Sequence, residues 1–431
     1  MNIHIRLLAA VLLGMTSAFS NSLFAQEKTK KSKEINWSIN LYKNQDSIRT
    51  TYFNLGLLSN LREQHGVGIN LISSVVHQSV KGLQLSGILS FTGKDAKGVQ
   101  IGGLANMVRM DASGFMLGGL MNATGGNAGG FQLAGIVNIT GKRYNGLALG
   151  GMLNVSSDEM NGVQLSSILN ASGGTMKGVQ LALLTNVGVD IAGLQASLIS
   201  NIAAKRVQGL QLGGVVNIAV NTEKALQLAS LTNVCLGEMQ GVQLAFGNYA
   251  EDVKGTQLGL LNLSTGVVNG WQIGVINHSK DTTAHKVGLI NINPKTKIQA
   301  MLFGGNTSKI NVAVRFKNRR NYSILGFGSH YLDLNDRFSG CLYYRTGIYF
   351  PIKKKFEISG DLGYFHIENF ENEDVEIPER MYSLQGRINV EYKLMRKLSF
   401  FVSTGYSMTR YYQQNKFFEK KAIIEGGIIL F

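Results

Sequence analysis

Hydrophobic and polar residues follow one another along this chain in a unit that recurs over more than half its length. Each unit reads glycine, apolar, glutamine, leucine, two small residues, leucine or isoleucine, a variable residue, asparagine and an apolar residue, then a polar turn. Residues 162–171 are one complete copy. Self-similarity at a short fixed period is typical of arrays whose units pack on their neighbours.

The opening glycine of each unit sets the period. The step is 16 residues from Gly66 to Gly178 and 15 residues to Gly193, and it shortens after Gly241. A dozen copies make chance an implausible explanation. One unit buries too few apolar side chains to offset the conformational entropy of ordering it, so the pattern predicts units that are stable only when stacked.

Asparagine and glutamine recur at fixed positions and would lie above one another in a stacked array. Stacked amides can hydrogen bond to their equivalents in neighbouring units, which satisfies groups that are costly to bury alone. We therefore predict a structural role for them in preference to a ligand site. The predicted ladder residues are Asn106, Asn122, Asn138, Asn154, Asn170, Asn186, Asn201, Asn217, Asn233, Gln100, Gln132, Gln164, Gln180 and Gln211.

Two all-β architectures fit the unit. In a β-solenoid each unit is one coil, with Val163 and Leu165 pointing inward. Ser166 and Ser167 then form a corner, and Ile168 begins a second inward face. The later units lose one residue between glycine and asparagine. A corner absorbs that loss better than a strand, where it would reverse the facing of every side chain.

Alternatively, each unit is a transmembrane strand and turn, and the repeats and the tail close one large β-barrel. Leu83, Leu85 and Leu89 share one face of such a strand, and Gln84 and Ser90 share the other. Only seven aromatic residues lie between positions 66 and 285, too few for the aromatic girdles of a membrane barrel. We favour the solenoid.

The pattern changes after Pro294, where aromatic residues become frequent and alternation becomes regular. Of the last 131 residues, 24 are Phe or Tyr. Apolar and polar residues alternate through 382–392, and tight basic turns at 351–355 and 394–397 oppose longer polar loops. These features predict about eight antiparallel strands of an outer-membrane β-barrel, with a polar interior. The final residue, Phe431, resembles the terminal aromatic by which such barrels are recognised for assembly.

The predicted domain organisation begins with a secretory signal peptide at residues 1–25, where an apolar run ends in small residues. A linker with a first strand follows at 26–51. The repeat region occupies 52–293, and the barrel strands occupy 294–431. No later segment has the 18 or more apolar residues of a spanning helix, so membrane insertion would use strands.

Composition and charge exclude several function classes. The net charge of +15 comes from dispersed basic residues, and an exported protein does not routinely meet nucleic acid, so we expect no nucleic-acid partner. The histidines lack metal-ligand spacing, and no phosphate loop or nucleophile elbow occurs. Cys235 and Cys341 suggest neither a disulfide nor a zinc site. We expect no catalysis, no metal and no cofactor.

The unit at Gly209-Leu210-Gln211-Leu212-Gly213-Gly214-Val215-Val216-Asn217 resembles the repeats of bacterial surface-repeat outer-membrane proteins. Their commoner unit is shorter than 16 residues. The resemblance covers about residues 52–293 and implies a location at the outer membrane or cell surface of a Gram-negative bacterium. It implies no particular activity.

Two function hypotheses follow from these patterns. The first is a cell-surface repeat protein with a structural or adhesion-like role, which contacts outer-membrane lipid and a surface protein or glycan. The second is a porin-like channel in which the amides line an aqueous lumen. The sequence names neither a partner nor a solute.

Overall fold

The protein consists of β-strands joined by turns throughout the parts that the computed structural model describes. The described residues up to Leu258 belong to one compact unit and Gly259–Phe431 form a second. The all-β fold is as predicted. The predicted signal peptide and most of the predicted linker lie outside the described residues, which are 36–40, 50–329, 332–333, 337–372, 379–412 and 416–431.

In the described part of the chain, 24 strands form the parallel ladders of a β-solenoid of about 15 turns, which confirms the favoured architecture. The bounds of these strands are β1 Asn36–Asn40, β2 Thr50–Leu61, β3 Glu63–Val76, β4 Val80–Ser86, β5 Leu89–Thr92, β6 Ala96–Gly102, β7 Ala105–Val108, β8 Ala112–Gly118, β9 Met121–Thr124, β10 Ala128–Ala134, β11 Val137–Thr140, β12 Tyr144–Gly150, β13 Leu153–Ser156, β14 Met160–Ser166, β15 Leu169–Ser172, β16 Thr175–Ala182, β17 Thr185–Ser197, β18 Ser200–Gly213, β19 Val216–Ala229, β20 Thr232–Leu244, β21 Gly247–Ser264, β22 Trp271–Ser279, β23 His285–Val287 and β24 Ile290–Ile292.

The coils between Val80 and Thr185 have a first strand, a short corner, a second strand and a polar turn, whereas from Thr185 the turn is extended and joins the second strand of one coil to the first strand of the next. In the coil of residues 96–111, the strands β6 and β7 are joined by a corner at Gly103 and Leu104. Equivalent positions of successive coils pair in register, as Gly98 does with Gly114. Because the backbone groups of the strands bond to the coils before and after, each inner coil is held on both sides.

The glycine that opens each unit is required by the close approach of successive coils. Gly162 has a φ of 124°, and a methyl group on its Cα would collide with the carbonyl oxygen of Gly146 in the preceding coil. Ala225 occupies this position in one coil, and there the neighbouring Lys224 takes the left-handed conformation, with a φ of 50°. The glycine period is therefore a property of the stack.

The repeats face the opposite way from our prediction. Val163 and Leu165 are half-buried on the outside, whereas Gln164 between them is only 1% exposed. The prediction was wrong because amides occupy the interior at these positions, whereas the buried apolar residues, such as Met160, lie near the polar turns. Asn154 on a second strand reaches the carbonyl oxygen of Leu165 on the facing first strand at 2.7 Å, so the interior is one short side chain deep.

The corner lies one residue later than predicted, at Ser167 and Ile168, and Ile168 begins no inward face. The inward position of the second strand belongs to asparagine, as at Asn170. The shortened units do lose their residue at the corner, as predicted. Leu244 pairs with Leu228 and Gly247 pairs with Thr232. The chain therefore advances three residues between these two pairs in the later coil and four in the earlier one.

The alternative of one large barrel is wrong, since the repeats pair in parallel with one another. The C-terminal region instead closes on its own as an eight-stranded antiparallel barrel, with β25 paired to β33. Among the described residues, the extra short strand β28 pairs with β29. The bounds are β25 Lys297–Gly305, β26 Ile310–Lys317, β27 Asn321–Ser329, β28 Leu332–Asp333, β29 Arg337–Lys353, β30 Phe356–Asn372, β31 Arg380–Met395, β32 Leu398–Tyr411 and β33 Phe417–Leu430.

The barrel strands alternate as predicted. On β31, Ser383, Arg387 and Glu391 are buried inside, while Leu384 and Ile388 are exposed outside. The predicted tight basic turns are the two-residue connections between β29 and β30 and between β31 and β32. The period-2 pattern therefore gave both the strands and their facing in this region.

Candidate functional site

The asparagines inside the coils form a ladder of hydrogen bonds. Asn106 Nδ2 donates to Asn122 Oδ1 at 2.9 Å and to the carbonyl oxygen of Leu117 at 2.7 Å. Equivalent amide pairs continue to Asn248, with Nδ2–Oδ1 distances of 2.9–3.1 Å. The predicted members in this ladder are Asn106, Asn122, Asn138, Asn154, Asn170, Asn186, Asn201, Asn217 and Asn233.

The glutamines form a second ladder of opposite polarity on the first strands. Gln100 Nε2 donates back to Gln84 Oε1 at 2.7 Å, whereas each asparagine donates forward along the chain. The longest run extends from Gln164 to Gln257, with Nε2–Oε1 distances of 2.7–2.9 Å. The predicted residues Gln180 and Gln211 lie within it.

Gln132 is the predicted ladder residue without a glutamine on either side. Met116 and Ala148 occupy the equivalent positions in the adjacent coils, and Gln132 Nε2 lies 3.5 Å from the Met116 sulfur. The sequence contained this interruption, because both replacements are visible at the 16-residue spacing. The buried amides bond mainly to one another and to the backbone, so the side chains accessible to a partner lie on the outer surface.

The outer surface of the coils carries rows of aliphatic side chains, which together we name the apolar edge. One row follows the first strands, where alternation places it outside the buried glutamines: Ile69, Leu85, Ile101, Leu117, Leu133, Leu149, Leu165, Leu181, Ala196, Leu212, Leu228, Leu244 and Leu258. A second row occupies the corners and is 39–55% exposed: Ile88, Leu104, Leu120, Ile136, Met152, Leu184, Ile199, Val215 and Leu231. A shallow groove of about 580 Å³ lies on this edge beside Leu198, where Ala196 interrupts the first row.

The charges of the array lie on the opposite side, which we name the charged edge. Between positions 66 and 264 there are eleven Lys or Arg and nine Asp or Glu. All twenty fall in the polar turns or in the two residues before the opening glycine position. The ten residues that start at that position carry no charge in any of these coils. This segregation was visible in the sequence, and our prediction did not use it.

Ion pairs cross between coils along the charged edge. Arg143 Nε lies 2.7 Å from Glu159 Oε2. Arg206 bridges Asp190 at 3.1 Å and Glu223 at 2.9 Å. Such exposed pairs contribute at most about 1 kcal/mol each, so the edge is a hydrated surface more than a source of stability.

The barrel interior contains buried ion pairs next to a cluster of buried apolar and aromatic side chains. Arg345 Nε and Nη2 donate to the two carboxylate oxygens of Asp361 at 2.8 Å each, and Tyr322 and Asn389 donate to Asp361 Oδ2 at 2.8 Å. Arg387 makes a similar two-point contact with Glu425 at 3.0 and 2.9 Å. Two-point contacts between guanidinium and carboxylate are strong and directional.

Two further buried pairs, Arg315 with Glu391 and Lys317 with Glu357, extend the network. The buried residues described inside the barrel thus include four cations and four anions. A cavity lined by Tyr322 and other interior residues holds about 10 Å³, about the space of one water molecule. The described interior is packed and gives no lumen of solute size.

A basic pocket of about 490 Å³ lies in the second compact unit, between the last coils and the turn that joins β26 to β27. Lys286, Arg319 and Arg320 line it, and none of the described lining residues is acidic. Burial lowers the pKa of Lys286 to about 8, although Asp281 acts in the opposite direction. The pocket has the charge and amide donors to hold an anionic group.

Asn318 connects the last coil to the barrel beside this pocket. Its Nδ2 donates to the carbonyl oxygen of Asn291 at 2.9 Å, and its Oδ1 accepts from Thr296 Oγ1 at 2.6 Å. Phe431, the predicted assembly residue, is exposed at the end of β33, and its carbonyl oxygen accepts from Gln299 Nε2 at 3.1 Å. Its role in assembly stays a prediction.

The other candidate chemistry is dispersed. Within the described residues, no group of three His, Cys, Asp or Glu could hold a metal ion, and no helix could cross a membrane. Cys235 and Cys341 are both buried free thiols. Burial raises the pKa of Cys235 to about 11, so its thiol is protonated and unreactive at neutral pH.

No protein-family model matches this sequence, and no curated protein sequence is similar to it. Among solved structures, it is similar to Ail, the attachment invasion locus protein of Yersinia pestis. The two are 14% identical, and the match covers 31% of this chain and 93% of Ail with a TM-score of 0.18. A TM-score this low decides neither fold nor function.

Proposed function

We propose that the C-terminal barrel anchors this protein in the outer membrane of a Gram-negative bacterium and that the repeat array has a non-catalytic structural or interaction role. The observation that carries the proposal is the facing of the barrel residues. Charged groups such as Arg345 and Asp361 are buried inside, whereas Leu362, Val402 and Ile424 are 62–72% exposed outside. This distribution suits lipid outside and is the reverse of a soluble protein.

The rest of the outward surface fits the same role. Aromatic residues occur among the exposed side chains of the barrel, including Phe350, Phe370, Tyr406 and Tyr412, and such residues are enriched at membrane interfaces. The resemblance of the repeats to bacterial surface-repeat proteins supports the same location. A channel function has no supporting observation, because the described barrel interior is packed with ion pairs.

Membrane fractionation of the full chain, combined with electrophoresis of unheated and heated samples, tests the anchor. A folded outer-membrane barrel should fractionate with that membrane and should migrate differently before and after boiling. Leu362→Arg, in the middle of β30, should impair assembly because an arginine facing lipid costs about 2–4 kcal/mol at the bilayer midplane. Leu394→Arg is the matched control and should be tolerated, since Leu394 adjoins a tight turn.

A wild-type chain that fractionates with soluble proteins would refute the anchor. Equal tolerance of both arginine variants would refute the lipid-facing surface. Protease added to intact cells then tests the cell-surface placement of the array. Cleavage of the repeats supports it, and full protection while the barrel is correctly inserted would place the repeats on the inner side.

A further inference from the structure

We infer that the apolar edge of the repeat array is seated among the acyl chains of a lipid leaflet, with the charged edge in water. The inference rests on the proposed function, because the barrel would hold the chain at a membrane. The barrel could anchor the protein without any contact between the array and lipid, so lipid is an additional partner of the array.

The size of the apolar edge is the first argument. The row from Ile69 to Leu258 has one member in each of 13 coils. Parallel strands lie about 4.8 Å apart, so this row is about 60 Å long. With the corner row beside it, the surface is on the order of 1,000 Å², larger than the roughly 300–600 Å² of the largest apolar patch on an ordinary soluble monomer.

The separation of charge is the second argument. All the Lys, Arg, Asp and Glu residues between positions 66 and 264 lie on the charged edge. A protein partner usually meets a polar rim with scattered charges around its apolar core. A bilayer has an uncharged interior beside water, and residues 66–264 of the array have the same division.

The shape of the apolar edge selects lipid over a second copy of the chain. The aliphatic surface continues around the corner, from Leu149 and Leu165 on the first strands to Leu153 and Leu169 on the second strands. Leu169 is half-buried and follows alternation outward from the buried Asn170. A rigid second copy would cover one side of this convex edge, whereas fluid acyl chains can cover both.

The backbone of the array also suits lipid contact. Hydrocarbon tolerates only backbone whose N–H and C=O groups are bonded within the protein. The corner backbone is bonded from coil to coil, as the N–H of Leu104 is to Ile88 O at 2.8 Å and that of Leu120 is to Leu104 O at 2.8 Å. The backbone groups of the strands likewise bond to the equivalent strands of the neighbouring coils, in parallel ladders.

A fluorescence experiment on the full chain in liposomes tests the inference. Leu181 on the apolar edge and Lys177 on the charged edge lie on the same strand, β16, and both are exposed. Each is replaced by cysteine in a Cys235→Ala, Cys341→Ala background and labelled with an environment-sensitive dye. The liposomes contain phosphatidylethanolamine and phosphatidylglycerol, with or without a doxyl-labelled lipid.

The expected result is a blue-shifted emission at position 181 that doxyl lipid quenches, and an unshifted emission at position 177 that aqueous iodide quenches. Iodide quenching at both positions, in protein that floats with the liposomes, would overturn the inference and leave the anchor intact. Disulfide bonding between Leu181→Cys chains without doxyl quenching would overturn it in favour of a second copy. Protein that does not float would overturn both the anchor and the inference.

A second variant separates lipid contact from folding. Leu149→Lys with Leu165→Lys changes two outward side chains and leaves the amide ladders in place. The expected result is loss of the blue shift at position 181 with unchanged hydrogen-exchange protection of the repeats and unchanged heat-dependent migration of the barrel. A retained blue shift in this variant would overturn the inference.

Discussion

The repeat array and the barrel both bury polar groups beside apolar clusters and expose further apolar groups outside, but they satisfy the buried polar groups in different ways. The array uses neutral amides that bond to copies of themselves, as Asn154 does to Asn170. The barrel uses charged pairs of unlike residues, as Arg345 does with Asp361. An amide has both donors and acceptors, so it can stack on its own kind. A guanidinium has donors only, so it needs a specific partner.

This difference explains why one region is periodic and the other is not. A self-complementary group can be repeated without limit, and coils can be added with the same residues. A charge must be balanced within a closed volume, and the barrel matches its four described interior cations with four anions. The loss of one interior group should therefore have different consequences in the two regions.

The largest expected effect is in the barrel. Arg345→Met would leave the buried carboxylate of Asp361 without its cation, and breaking a buried pair in this way costs about 3–5 kcal/mol. The temperature at which the barrel changes its electrophoretic migration should fall markedly. The double variant Arg345→Met, Asp361→Leu is the control and should recover much of the loss. A double variant as unstable as the single one would show that the charge pairing is not the cause.

A smaller effect is expected inside the array. Asn154→Ala removes the bonds to Asn170 and to the carbonyl oxygen of Leu165, and each buried group left unsatisfied costs about 1–3 kcal/mol. Hydrogen exchange in the coils of residues 144–175 should accelerate, because local opening there becomes easier. Asn161→Ala is the control, since that amide lies outside the ladders and donates to Asn145 Oδ1 on the neighbouring strand β12. Equal acceleration in both variants would contradict the ladder account.

The opening glycine gives a comparison within the array itself. Gly162→Ala would place a methyl group against the Gly146 carbonyl in a left-handed backbone, which costs about 1–3 kcal/mol. Ala225→Gly should change the stability by less, about 1 kcal/mol at most. Hydrogen exchange around each site measures both. If the two variants have equal effects, the glycine period does not arise from the close approach of coils.

The last expected effect is a pH dependence and concerns Lys286, whose pKa is lowered by burial to about 8. An unfolded lysine has a pKa of about 10.4. Between about pH 8 and pH 10 the lysine is therefore more fully protonated in the unfolded state than in the folded state. The unfolding free energy should therefore rise as the pH increases from about 8 to about 10. Thermal unfolding across this range measures the slope. Lys286→Met should remove it, and the control Lys280→Met should retain it.

The sequence determined the local and periodic features of the protein. The glycine spacing predicted the number of residues in a coil, and the shortened units predicted that the coil has a corner. Period-2 alternation predicted the barrel strands and which of their side chains face the interior. These features depend on a residue and its near neighbours. The sequence also contained the signal for the apolar edge, because ten successive residues of each coil carry no charge. The aliphatic residues among them were wrongly predicted to face the interior.

Only the tertiary structure decided which face of the repeat is inside. Alternation divides Gln164 from Val163 and Leu165 but is equally consistent with either face being buried. The outcome depends on the distance between the two strands of a coil, which leaves room for one layer of amides. Ion-pair partners in the barrel were likewise unreadable. Arg315 meets Glu391 because closure of the barrel through β25 and β33 brings β26 and β31 within reach of one another across the interior, and no local pattern records that distance.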